Sequence, residues 1–90
     1  MKYVVTYDSA EDVRSRAPIH YPAHAARAGQ FHARGELLMI GIFADPQQDG
    51  AMGIFSTREA AEAFIHDDPF VLHGVVRAWH LREWNEVLAP

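Results

Sequence analysis

The sequence predicts an α+β domain of the ferredoxin-like, split β-α-β type, with the order β-α-β-β-α-β, an antiparallel sheet and both helices on one face. Three observations lead there. KYVVTY near the start and VVRAWHLREW near the end are rich in β-branched and aromatic residues. ELLMIGIFA and AMGIFS are apolar runs separated by DPQQDG, so they read as a hairpin. PAHAARAGQFHAR and STREAAEAFIHDD, one on each side of that hairpin, favour helix.

Residues 2–7 are the first strand. Residues 8–21, DSAEDVRSRAPIHY, show no clean period and end between Pro18 and Pro22, so they read as a loop leading to a helix. Pro22 suits a first helical turn, where its missing N–H costs nothing. The helix then runs to Arg34, and Gly35 is placed to end it. Residues 36–44 are short and apolar enough for a strand buried on both faces. Residues 45–50 are a turn and 51–56 the returning strand. Ser56 or Thr57 can cap the second helix, with Glu59 or Glu62 supporting its first turn. Pro69 ends it, because the residue before a proline is pushed out of the α region. PFVLHG is an irregular or helical turn, and residues 75–84 are the last strand.

This topology implies the sheet order 4-1-3-2. In the second strand, alternation sets Leu37, Met39 and Phe43 against Leu38, Ile40 and Ile42. In the last it sets Val75, Trp79 and Leu81 against Val76, Ala78 and Trp84. A sheet with one wet face should alternate apolar and polar, and these strands are apolar on both sides. A homodimer through the free sheet face is the expectation.

Composition narrows the function. Ninety residues make one domain, 1–90, with a modest core. Eight Lys and Arg against twelve Asp and Glu, scattered and without a basic stripe, argue against nucleic-acid binding. No cysteine is present, so thiolate chemistry, disulfides and thiolate metal sites are excluded. The first apolar run is too short for a signal peptide, and nothing approaches the ~18 apolar residues of a membrane span. A soluble, cytoplasmic protein is expected. No Gly-x-Gly-x-x-Gly or Walker loop occurs, and no cofactor is expected.

Two polar residues interrupt apolar helix stripes. On the first helix His24, Ala28 and Phe31 fall on one face; on the second Ala60, Ala61, Phe64 and Ile65 lead to Asp68. A right-handed crossover makes strands one and two parallel, so the start of helix one and the end of helix two lie together. His24 and Asp68 should therefore meet. A carboxylate beside an imidazole fixes its tautomer and stabilises the imidazolium, which suits a general acid or base. The competing reading is a purely structural hydrogen bond, and the residues alone leave the two even. Tyr7, Arg14, Arg16, Tyr21 and Asp45 fall near the same end and could contact an anionic or carbonyl-bearing ligand; surface salt bridges are the commoner fate of such residues. His20 and His24 are four apart, but a helix beginning at Pro22 would not carry both, so a metal pair is disfavoured and no metal site is expected. His32 and His66 read as solvated helix residues, and His80 as strand packing.

At these residues the chain resembles the YciI-like (YCII-related) family of small bacterial proteins. YPAHAARAGQFHARGELLMIG and STREAAEAFIHDDPFVLHGVVRAWHLREW carry the likeness, with D-P-F-V-x-x-G its more specific piece. The resemblance implies a dimeric ferredoxin-like α/β-barrel fold and a His–Asp centre on His24 and Asp68, with Asp67 a solvated neighbour. Some members are described as dehydrochlorinases of chlorinated hydroxyquinols, and related folds include muconolactone isomerases. The leading expectation is a cofactor-independent enzyme using His24 and Asp68 for isomerisation or elimination on a small cyclic carbonyl or phenolic compound. The alternatives are a non-catalytic module that binds a small ligand, and a purely structural dimeric domain.

Overall fold

A computed structural model describes residues 1–90. The elements are β1 (Lys2–Ser9), α1 (Val13–Ala33), β2 (Leu37–Ile42), α2 (Pro46–Asp49), β3 (Ala51–Phe55), α3 (Arg58–Asp67), α4 (Pro69–Leu72) and β4 (Val76–Trp84). The sheet order is β2-β3-β1-β4, and every neighbouring pair is antiparallel. The split β-α-β topology is as expected, with two one-turn helices added.

The largest departure is at α1. Residues 13–21 are helix rather than loop, so Pro18 and Pro22 lie inside it and His24 sits mid-helix. Each proline removes one intrahelical hydrogen bond, which is why the sequence reads as broken there. Both prolines are exposed, so water can reach the freed carbonyls. Tertiary contacts hold the segment instead. The His20 ring stacks on His73 with centroids 4.2 Å apart, and Arg16 Nη1 donates to the His73 carbonyl at 3.3 Å. The entry carries no capping signal, because the Asp12 carboxylate is engaged by Arg16 and makes no cap bond. At the other end Gly35 takes φ 76°, with Gly35 N–H bonded to His32 O and Glu36 N–H to Phe31 O, a Schellman ending.

Residues 45–50 contain the short helix α2, capped by Asp45 through Gln48 N–H at 3.2 Å. Thr57 caps α3, accepting from Ala60 N–H at 3.1 Å. Pro69 ends α3 and also opens α4.

Two bulges revise the strand faces. Between Leu37 and Met39 the register slips, so Leu37 shares the helix side with Ile40 and Ile42, opposite Phe55, Gly53 and Ala51. A second slip places Val76 opposite Ser9, on the same side as Trp79 and Leu81. The outer face is consequently divided. Val4, Met39, Met52 and Ile54 form an apolar half, while Thr6, Asp8, His80 and Arg82 form a polar one. His80 is exposed and lies 3.4 Å from Asp8, so it is not strand packing. Trp79 and Trp84 are on opposite faces and both about half exposed, so neither is core.

The core lies between the sheet and the second half of α1 with α3. Phe64 meets Phe31 and Phe55 with ring centroids 5.2 and 5.3 Å away. His24, Ala28 and Phe31 are the buried stripe of α1; Ala60, Ala61, Phe64 and Ile65 are that of α3. No helix is long and apolar enough to cross a membrane.

Candidate active site

His24 and Asp68 do meet. His24 Nδ1 lies 2.7 Å from Asp68 Oδ1, and the Asp68 side chain is wholly buried. Asp68 is positioned by its place in the chain. Pro69 keeps its backbone extended (φ −67°, ψ 121°), so α3 stops and the carboxylate folds forward to cap α4, accepting from Phe70 N–H at 3.1 Å. Its other oxygen accepts from Tyr7 Oη at 2.7 Å. Three donors therefore converge on one buried carboxylate, which compensates its loss of hydration.

Those partners settle the tautomer of a neutral His24. Asp68 accepts at Oδ1, so Nδ1 carries the proton and Nε2 holds a lone pair. No protein group bonds Nε2, and that atom is not sealed from solvent. The ring is fixed on its faces too. Phe70 stacks on it with centroids 3.9 Å apart and planes within 3°, and Phe64 meets it edge-on at 6.1 Å. Rotation of the imidazole is blocked.

Tyr7 is held in turn by β1 and by Gly50. A Cβ at Gly50 would stand 1.8 Å from the Tyr7 carbonyl oxygen, and its φ is 75°, so only glycine lets the backbone pass. Burial, and then the adjacent Asp68 carboxylate, push the Tyr7 phenol far above its ordinary value, so it stays a proton donor. Arg27 fastens α1 to the end of α3: Nη2 donates to Ala63 O at 2.8 Å, and its guanidinium lies 4.8 Å from the Phe31 ring centre. That contact holds the helix end from which Asp68 projects.

His24 opens on a groove of about 990 Å³ bounded by α1 on one side and β1, β3 and β2 on the other. Tyr7, Arg14 and Tyr21 also line it. Arg14 has no ion-pair or hydrogen-bond partner in the chain, whereas Arg16 is tied to Asp12. Asp45 caps α2 and does not line the groove. His20 and His24 do share a helix, contrary to the reading that Pro22 separates them, yet the rings turn to different partners: His73 and Asp68. No group of three or more His, Asp or Glu side chains is placed to hold a metal ion. His66 is exposed beside Asp67, and His32 is exposed as well, with its Nδ1 2.8 Å from Leu37 O.

Phe70, Gly50, Arg27 and His32 were missed by the sequence reading. The Asp-Pro-Phe run did carry a signal, since Asp followed by Pro is an N-cap followed by N1. Asp49-Gly50 is likewise a turn signal, but nothing local tells that Gly50 abuts Tyr7 or which carbonyls Arg27 and His32 reach.

The YCII-related domain model matches residues 1–85. Protein YciI of Escherichia coli O6:H1 is 32% identical over 98 aligned positions, spanning 97% of this chain and 99% of that protein. Protein YciI of Shigella flexneri gives the same figures. Among solved structures, 5-chloro-2-hydroxyhydroquinone dehydrochlorinase (TftG) of Burkholderia phenoliruptrix AC1100, in complex with 2,5-dihydroxybenzoquinone, superposes with a TM-score of 0.78. Its identity is 18% over 94% of each chain, so the likeness is one of fold. With sequence likeness along nearly its whole length and the same α+β architecture, the chain belongs to the YCII-related family.

Proposed function

We propose that the protein is a cofactor-independent acid/base enzyme acting on a small cyclic carbonyl or phenolic compound. The observation that carries this reading is His24 Nε2: an unengaged lone pair beside a groove, on a ring whose other nitrogen is bonded to a buried carboxylate. Nε2 removes a proton from a ring hydroxyl or from carbon next to a carbonyl. Asp68 balances the imidazolium that forms, as the carboxylate does in a Ser-His-Asp triad. In an isomerisation the proton returns at another ring position. In an elimination the leaving group departs with its bonding electrons as an anion. Arg14 supplies the positive charge for an oxyanion, and Tyr21 a hydroxyl.

The substrate class draws support from TftG, a dehydrochlorinase bound to a dihydroxybenzoquinone. Turnover is to be measured on hydroxyquinols, quinones and lactones. His24→Ala and Asp68→Asn should each lower it by a factor of ~10² or more. Full turnover in both variants would leave the pair as structure only.

A second reading, a module that binds the same compounds without converting them, is favoured by the groove being open to water along α1. Saturable binding with no product under any condition would select it. In either case the protein acts as a homodimer through the sheet, supported by the exposed apolar half of the outer face.

A further inference from the structure

His24 is not the only histidine on the groove. His32 lies two turns further along α1 and lines the same cavity. Its Nδ1 is 2.8 Å from the Leu37 carbonyl, which can only accept, so a neutral His32 also carries its proton on Nδ1. Nε2 is again free, and no protein side chain bonds it. Eight residues separate the two histidines, about 12 Å along the axis at ~1.5 Å per residue. A single six-membered ring does not bridge them.

The space between them is kept open. Gly29 sits in the interior of α1 with ordinary helical φ, where glycine costs about 1 kcal/mol relative to alanine. Packing does not require it, for a Cβ there would meet nothing within 4 Å. Gly29 lines the groove, and Gly53 lines its floor on β3. A helix-weakening residue stands where a side chain would narrow the cavity. The volume of about 990 Å³ also exceeds what one ring needs, standing at the top of the ~300–1,000 Å³ of pockets that enclose drug-sized ligands.

We propose that the groove has two stations, with the reacting ring at His24 and an apolar, flat extension lying over Gly29 to His32, which accepts a hydrogen bond from a terminal hydroxyl or N–H. The preferred ligand class is an elongated phenol or quinone, two rings or a ring with an arm, and not a single ring. This rests on the acid/base reading only for which end reacts. The binding geometry stands without it.

The test is calorimetric titration of the full chain with hydroquinone, 4-hydroxybiphenyl and 4,4′-dihydroxybiphenyl. The dihydroxybiphenyl should bind at least tenfold more tightly than hydroquinone, and severalfold more tightly than 4-hydroxybiphenyl. Gly29→Leu, which favours helix, should bring both biphenyls to the affinity of hydroquinone and leave hydroquinone unchanged. His32→Phe should erase the difference between the two biphenyls; that ratio cancels any general loss from the Leu37 bond. Equal affinities for one and two rings, a Gly29→Leu effect shared by all three, or an unchanged biphenyl ratio in His32→Phe would overturn the proposal. So would a change of particle mass in Gly29→Leu, which would assign the groove to a protein interface. Binding in this pattern with no turnover of any substrate would sink the enzyme reading alone; turnover without the pattern would sink this one alone.

Discussion

At the scale of single residues, the site is a chain of donors leading to a carboxylate. Tyr7 and Phe70 N–H hold Asp68, and Asp68 holds His24. Tyr7 has a pH signature. Its folded-state pKa is raised above the ordinary ~10, so its contribution is complete below pH ~10 and is lost as pH rises above that, where the unfolded chain ionises and the folded one does not. Thermal unfolding between pH 9.5 and 11 should therefore show a steeper loss of stability in the native sequence than in Tyr7→Phe; parallel declines would count against the buried bond. At neutral pH the same variant should lose about 1.5–3 kcal/mol, the range for a hydrogen bond to a charged group. His24 and Asp68 were legible because each is a polar residue ending an apolar stripe. Tyr7 was legible only as a neighbour, since a strand tyrosine carries no sign of what its hydroxyl will reach.

At the scale of elements, helix α1 was half legible. From His24 onward its buried stripe and its Gly35 ending are written in the sequence. Its first turns are not, because Pro18 and Pro22 break the local signal and the contacts that hold the segment, Arg16 and His20 on His73, span more than fifty residues. The strand faces failed for a related reason: a bulge is a choice made by two strands together, so alternation in one cannot reveal it. Glycines separate by the same logic. Gly50→Ala should cost about 3 kcal/mol or more, since it meets both a positive φ and the Tyr7 carbonyl. Gly29→Ala should instead raise stability by up to about 1 kcal/mol. Urea unfolding of the two variants checks both signs, and similar losses would contradict the division between a backbone constraint and an open wall.

At the scale of the whole molecule, the order of elements was legible and sufficed to bring distant helix ends together. The expected two-faced apolar sheet was too simple. Its outer face is apolar over β2 and β3 with Val4, where Met39 is two-thirds exposed, and again at Trp84 near the end of β4. Thr6, Asp8, His80 and Arg82 make the rest polar. If the β2–β3 half joins two copies, light scattering at micromolar concentration should give twice the mass of one chain, and Met39→Lys should shift it toward one. A single-chain mass in the unaltered protein would refute the dimer and leave the site within each chain untouched. The site itself stands or falls on one proton. Long-range ¹H–¹⁵N correlation of the His24 ring, recorded with the ring neutral, should show Nδ1 protonated and Nε2 bare, with the Nε2 signal moving when 2,5-dihydroxybenzoquinone is added. A proton on Nε2, or a ring that ignores the ligand, would contradict the account.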